Sequence, residues 1–412
     1  MKKLRGAAVV GQSGGPTAAI NATLSGVIRA VADDGGEQIT KLYGMRFGID
    51  GFLRDELIDL SSEFDGDEEK LRLLEQTPAA ALGSCRKKLP DPALDKDFYE
   101  ALTEQFKKYD IRYFFYIGGN DSMDTVSKLS KYLSTSDYEM RCVGIPKTID
   151  NDLCGTDHTP GFGSAAKYIA VTLSEIVRDC SVYTVPAVTI VEIMGRDAGW
   201  LTASAGLPGY LTGYGPDLIY LPERPFSLDS FLEDVKEIHT RKPAVVVAVS
   251  EGLRFADGHY VGEGTQSGSA DVFGHKYLAG TAKALELFIK EKLGCKVRSI
   301  ELNLPQRCAA HLASAADISE SVRTGSEGVG SALSGKTGVM VVAVRAEDDG
   351  YSVSFDTADI SGIANEIRTV PDEYINERGN GVTAACCEYI RPLILGETAP
   401  VFRDGLPVHL VL

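Results

Sequence analysis

The chain has 412 residues, 44% of them hydrophobic, and a formal net charge of −16 from 58 acidic and 42 basic residues. That length supports two or three domains, and the acidic balance argues against a nucleic-acid partner, which needs many Lys and Arg against backbone phosphates, while leaving small phosphorylated ligands open. The longest apolar run, near Ala244–Val249, falls far short of the about 20 residues that span a bilayer, so no membrane association is expected.

Strand-like and helix-like runs alternate from the start. Ala7–Gly11 reads as a strand, and Asn21–Ala32 follows with Leu24, Val27, Ile28 and Val31 at the spacing of one helical face. The acidic run Asp65, Asp67, Glu68, Glu69 reads as a solvated helix start. Arg112–Ile117 is a strand leading to a helix through Val126, Leu129 and Leu133, and Arg141–Ile145 is a further strand. Next come a helix through Ile169, Leu173, Ile176 and Val177, the strands Val188–Ile193 and Leu218–Leu221, and a helix through Phe231, Val235 and Ile238. The strand Ala244–Val249, a helix from about Tyr277 to Lys292, and the strands Val297–Leu302 and Val339–Val344 complete the pattern. Alternation of this kind predicts an α/β protein with helices on both faces of mostly parallel sheets. The strands exceed one comfortable sheet, so two Rossmann-like three-layer α/β/α domains with an active-site cleft between them are expected.

The eight cysteines show no C-x-x-C spacing and the six histidines are scattered, so neither a zinc site nor a disulfide framework is expected. Met1-Lys2-Lys3-Leu4-Arg5 runs into Gly11-Gln12-Ser13-Gly14-Gly15 without a signal-peptide core, and a cytoplasmic location is expected.

The chemistry gathers after strands. Pro146-Lys147-Thr148-Ile149-Asp150-Asn151-Asp152 places one lysine and two carboxylates directly after Val143-Gly144-Ile145, and ligands of open α/β sheets collect beyond such strand ends. Asp150 could take a proton from a hydroxyl, Asp152 could hold a metal or orient that group, and Lys147 could neutralise a phosphate; a turn with Asx capping is the competing reading. Gly14-Gly15-Pro16 can bring backbone N–H groups and a helix N-terminus to a phosphate, or can simply be a turn. Ile117-Gly118-Gly119-Asn120-Asp121-Ser122 repeats the arrangement; the Asn-Asp pair can cap a helix, or Asn120 can ligate Mg²⁺. In Met194-Gly195-Arg196-Asp197, Arg196 suits a bidentate phosphate grip, against a structural contact with Asp197. Glu251 can bind sugar hydroxyls or start a helix, Arg298 and Arg307 flank a strand and suggest an anionic substrate, and Arg86 stands beside Lys87 and Lys88 in what could equally be a solvated basic turn.

Two formal matches fail on context. Gly330–Thr337 satisfies the Walker A pattern, yet a small-residue helix precedes it and a strand follows, the inverse of a P-loop. Gly161–Ala166 resembles a dinucleotide fingerprint but follows the polar loop Asp157-His158-Thr159-Pro160 and reads as a helix start. It is all that supports a nicotinamide-dependent dehydrogenase.

In order and spacing, Gly14-Gly15, Gly118-Gly119-Asn120-Asp121, Pro146–Asp152, Met194-Gly195-Arg196 and Ser250-Glu251-Gly252 resemble the phosphofructokinase family over roughly the first three quarters of the chain. The resemblance implies phosphoryl transfer to the 1-hydroxyl of fructose 6-phosphate. It makes Asp150 the general base with Thr148 and Asp152 beside it, sets Asn120 at the magnesium position where many members have Asp, and gives Arg86 to a phosphate. Gly14, Gly15 and Gly119 fall on the donor side; Ile149, Met194, Gly195, Arg196, Glu251, Arg298, Leu304 and Arg307 match the sugar-phosphate site. Where ATP-using members resemble Gly-Gly-Asp-Gly and Pro-Gly-Thr-Ile-Asp-Asn-Asp, this chain has Asp121 and Lys147 at the two glycine positions, the mark of pyrophosphate-dependent members. A carboxylate about 4 Å from the ATP α-phosphate repels it by about 4 kcal/mol at an effective dielectric near 20, roughly a thousandfold in affinity. Lys147 supplies a cation for the phosphate leaving group.

The chain departs from ATP-using bacterial members at Ala187, where they carry an arginine reaching the neighbouring subunit's substrate, and at Leu304 before Pro305-Gln306-Arg307, where a histidine is usual. The expectation is a Mg²⁺-dependent, reversible pyrophosphate:fructose 6-phosphate phosphotransferase serving glycolysis or gluconeogenesis. An ATP-dependent enzyme and a non-catalytic regulatory subunit are the alternatives. The expected division joins residues 1–160 to about 308–375 as the pyrophosphate- and Mg-binding domain, and about 161–307 to 376–412 as the fructose-6-phosphate domain. A homo-oligomer is expected, a homodimer being favoured.

Overall fold

The computed structural model describes residues 4–263, 280–346, 350–364 and 366–412; the predicted helix start at about Tyr277 lies outside them. Among these residues the strands β1 (Gly6–Gln12), β2 (Ile39–Met45), β3 (Leu57–Asp59), β4 (Ile111–Gly118) and β5 (Arg141–Pro146) belong to a first sheet, joined much later by β10 (Val339–Arg345) and β11 (Val353–Asp359). Its order is β11-β10-β5-β4-β1-β2-β3, parallel from β10 through β2 and antiparallel at the two edges. A second, wholly parallel sheet runs β7-β8-β6-β9, from β6 (Ala187–Ile193), β7 (Leu218–Tyr220), β8 (Ala244–Ser250) and β9 (Lys296–Glu301).

Both faces of the first sheet are covered, as parallel strands require. Along β1, Ala8 and Val10 pack with Leu24, Val27, Ile28 and Val329, from the helices Ile20–Asp34 and Ala315–Leu333. Ala7 and Val9 face the other way, toward Phe106, Val126 and Leu129 on the helices Lys96–Lys108 and Asn120–Leu133. The second sheet is likewise sandwiched, by Phe162–Cys180 with Trp200 on one face and by Leu228–His239 and Thr281–Leu293 on the other. The two-domain α/β architecture is therefore the one expected.

Three strands of these two sheets escaped the sequence reading, as did the short hairpin of Phe402–Arg403 and Leu406–Pro407. β2 has an irregular burial pattern, β3 is three residues long, and β11 is a polar edge strand with only Val353 buried. The acidic run does start a helix: Asp67 accepts the Lys70 N–H at the head of Glu68–Gln76. The Walker-like segment has the inverted context expected, helix Ala315–Leu333 before and β10 after, and Gly161 is the N-cap of Phe162–Cys180. Near the end of the chain, Ala384–Ile390 packs into the second core, whereas Leu410 and Leu412 lie against the first, with Arg46 donating to the Leu412 carbonyl.

The register brings the loops together. Gln12 stands opposite Ile117, and Gly118 opposite Pro146, so β1, β4 and β5 end level. The strand order reverses at β1, with β2 on one side and β4 on the other, a topological switch point of the kind that opens a binding crevice.

Candidate active site

Beyond these ends lies a cavity of about 430 Å³ whose walls come from both sheets. The first contributes Gly14 and Gly15 after β1, Gly119, Asn120 and Asp121 after β4, and Lys147, Thr148, Ile149, Asp150 and Asp152 after β5. The second contributes Met194 and Arg196 after β6, Glu251 after β8, and Arg307 from the short helix Pro305–Cys308; Arg86 joins from a loop.

Backbone geometry explains several of these positions. Gly14 has φ +80°, and a side chain there would come within 3.3 Å of Lys147 Nζ. The Lys147 N–H donates to the Gly118 carbonyl at 3.0 Å, tying the two loops side by side. Gly195 has φ +137°, where a Cβ would sit 2.6 Å from the Ala198 carbonyl; its N–H donates to Glu251 Oε1 at 3.3 Å. Gly195 thus shapes the turn that carries Arg196 without lining the cavity itself.

Thr148 Oγ1 accepts the Asp150 N–H at 3.1 Å and donates to Asp150 Oδ2 at 3.2 Å, which fixes that carboxylate's orientation. Burial pushes the Asp150 carboxyl up from the ordinary carboxylate range, opposed by the Thr148 hydrogen bond and the Lys147 and Arg196 charges. Burial and the neighbouring Asp150 charge push Asp152 up to about 7. Lys147 is held down to about 8 by burial, with the Asp150 and Asp152 charges pulling it up and the Arg86 and Arg307 charges pushing it down. Burial raises Glu251 to about 8, against the Gly195 N–H that favours its ionised form. Acids and a lysine whose ionisations are drawn toward neutrality suit a site that moves protons.

Some expectations need correction. The helix after Gly14-Gly15 does not open at the loop: it begins at Ile20, and Thr17 Oγ1 accepts the N–H groups of Ala19 and Ile20. Only loop backbone, not a helix N-terminus, faces the cavity there. Asn120 is no cap; Gly119 is the N-cap and Asn120 the first helical residue. Its Nδ2 donates to the Glu366 carbonyl, while Oδ1 is buried with no hydrogen-bond partner. Such an orphan acceptor, on a residue lining the cavity, fits a divalent cation or its water. Asp197 pairs with Arg254, and both Arg196 and Asp197 line the cavity. Arg298 does not line the cavity but sits on edge strand β9, and Leu304 is exposed outside it.

Lys88 is the principal cavity residue that sequence reasoning passed over. It and Arg86 both line the cavity, while the intervening Lys87 turns away to Asp50 at 2.8 Å. An extended segment sends residues two apart to the same side, and that spacing is the signal that could have separated Lys88 from a solvated turn. Ser13 and Ser122, joined Oγ to Oγ at 3.0 Å, and Ile367 also line the cavity. Among the described residues no three His, Cys, Asp or Glu side chains converge as a metal cage, and no helix is long and apolar enough to cross a membrane.

The family model "Phosphofructokinase" matches residues 7–329. A pyrophosphate–fructose 6-phosphate 1-phosphotransferase from Halomonas elongata is 41% identical over 96% of this chain and 93% of its own length, and the same-named protein of Methylococcus capsulatus is 41% identical over 97% and 94%. The crystal structure of a pyrophosphate-dependent phosphofructokinase from Nitrosospira multiformis superposes with a TM-score of 0.88 at 37% identity, covering 98% of this chain and 96% of the other. The chain belongs to the phosphofructokinase family.

Proposed function

We propose that this chain reversibly transfers a phosphoryl group from pyrophosphate to the 1-hydroxyl of fructose 6-phosphate, giving fructose 1,6-bisphosphate and phosphate. The observation that carries the reading is the presence of Asp121 and Lys147 in one cavity wall, at the two positions where ATP-using members resemble glycine. The names of the Halomonas and Methylococcus relatives support it.

Asp150, oriented by Thr148, takes the hydroxyl proton as the new O–P bond forms. Lys147, Arg86 and Lys88 face the donor, and the transferred charge passes between fixed cations in line with the acceptor oxygen. Arg196 and Arg307 bind the sugar phosphate, and Glu251 and Met194 bind the sugar. Asn120 Oδ1 would hold Mg²⁺, which when bound neutralises donor charge. The division into residues 1–160 with about 308–375 and about 161–307 with 376–412 is part of this reading, with two adjustments: Leu410 and Leu412, which pack against the first core, go to the first domain, and Val370 and Ile375, which pack in the second core, go to the second. The protein works in the cytoplasm as a homo-oligomer.

The test is a side-by-side assay of pyrophosphate and ATP with fructose 6-phosphate. Turnover with ATP and none with pyrophosphate would sink the reading, and inactivity with both would favour a regulatory subunit.

A further inference from the structure

Beyond residue 329, where the family model ends, the chain returns to the catalytic loop. Asn120 Nδ2 donates to the Glu366 carbonyl at 3.2 Å, Ile367 bridges antiparallel to Leu153, and the Arg368 N–H donates to the Asp152 carbonyl at 2.8 Å. The Arg368 guanidinium reaches the Asn151 carbonyl at 3.5 Å and Tyr389 Oη at 3.2 Å. It also lies over the Trp200 ring at 4.4 Å, while Trp200 Nε1 donates to the Arg368 carbonyl at 2.9 Å.

Tyr389 Oη completes the set. It accepts from Asn151 Nδ2 at 3.1 Å and from Arg368, and donates to the Asp157 carbonyl at 2.6 Å. One donor and two acceptor sites are all a phenol offers, so this hydroxyl is saturated. Asn151, the residue between the two carboxylates, is fully buried with φ +54°, and its Oδ1 accepts the Thr159 N–H at 3.1 Å. A left-handed residue reverses the chain locally, and here both neighbours, Asp150 and Asp152, face the cavity. Asn enters that conformation more readily than most L-residues, and here contacts to Tyr389, Arg368 and Thr159 hold Asn151 in it.

We infer that Arg368 and Tyr389 are positioning residues for the reaction: they lock Asn151 in its left-handed conformation, aim Asp150 and Asp152 at the substrates, and tie the catalytic loop to Trp200 of the second domain. The inference rests on phosphoryl transfer through Asp150. Neither residue needs to touch a substrate to act in this way.

The test compares full-length wild type with Tyr389→Phe, Arg368→Lys and Arg368→Ala, by hydrogen exchange of the peptide covering 148–157 and by steady-state kinetics with pyrophosphate. Expected are faster exchange confined to that peptide and kcat lower by about tenfold or more with both KM values within about threefold, since small misplacements of reacting groups cost rate before binding. Free guanidinium should restore part of the Arg368→Ala rate and none of the Tyr389→Phe rate. Unchanged loop exchange in a folded Tyr389→Phe protein overturns the inference, as does wild-type kcat, or a rate loss no larger than the loss of folded protein. If Tyr389→Phe does not fold, Arg368→Lys decides by the same measures. Exchange reads loop order whatever the donor, so an error in the donor assignment shows in wild-type turnover and an error here shows in the loop.

Discussion

Lys88 Nζ lies 3.5 Å from Asp121 Oδ1 in the wall of the cavity. The Asp121 carboxylate thus holds Lys88 in a cavity lined also by Arg86 and Lys147. The pair is open to solvent, with side-chain exposures of 54% and 31%, and such pairs are worth about 0–1 kcal/mol. A weak partner is easily exchanged for a phosphate oxygen.

Lys88→Ala should therefore raise the KM for pyrophosphate by about tenfold, the value of one charge-assisted hydrogen bond, and leave that for fructose 6-phosphate unchanged. Steady-state kinetics with each substrate varied decide it. An unchanged pyrophosphate KM would remove Lys88 from the donor site.

Replacing Asp121 and Lys147 together by glycine should lower pyrophosphate-driven turnover by about a hundredfold or more and admit ATP as donor. Unaltered pyrophosphate kinetics in the double variant would refute the roles given to both residues.

The pH profile has a direction on each limb. Lys147 carries its charge below about 8 and loses it above, so kcat/KM for pyrophosphate, which reports the free enzyme, should fall as pH rises through about 8. Asp150 must be ionised to accept a proton, and its raised pKa means that activity falls as pH drops through that value. Lys147→Arg should abolish the alkaline fall while keeping the acid limb. A fall that persists in this variant would assign it to another group.

Glu251, raised to about 8 by burial, is largely protonated at pH 7. Glu251→Gln keeps an oxygen for the Gly195 N–H and the same neutral charge, so the KM for fructose 6-phosphate should change by less than about threefold, whereas Glu251→Ala leaves that N–H unpaired at a cost of about 1–3 kcal/mol. Equal damage from both variants would mean that the ionised carboxylate is the working form.

Buried His158 lies between Asp157, at 2.8 Å from Nδ1, and Glu320, at 2.8 Å from Nε2. Burial opposes its charge, but the two carboxylates outweigh burial and the net shift is upward from 6.5. A raised folded pKa contributes stability that is full below about 6.5 and lost as pH rises through the raised value. His158→Gln should lower the melting temperature most below pH 6.5, with the gap narrowing in alkali. A gap independent of pH would show that packing, not charge, is what His158 supplies.

The β-α alternation and the loops after β1, β4, β5, β6 and β8 were legible because apolar periodicity and strand-end glycines are local signals. Long-range pairing was not. β11 mixes polar and apolar residues with only Val353 buried, so no apolar run marks it, and the 366–368 return acts largely through backbone atoms, which leave no pattern in the sequence. Arg298 was readable as a cation near a strand, yet its position on edge strand β9, away from the cavity, depends on which strands pair. Lys88 reads as surface because the two cations before it, Arg86 and Lys87, hide the two-residue alternation.

The discontinuity of the first sheet also bears on its making. β5, the strand that ends in Pro146 and carries Lys147, pairs on its outer side with β10. Roughly 190 residues separate them, about 10–40 s of synthesis at about 5–20 residues per second. For that interval the nascent chain presents β5 as an unpaired hydrophobic edge, the kind of surface that recruits wrong partners. A ribosome-bound chain halted before Val339 should therefore be the form of this protein most dependent on chaperones.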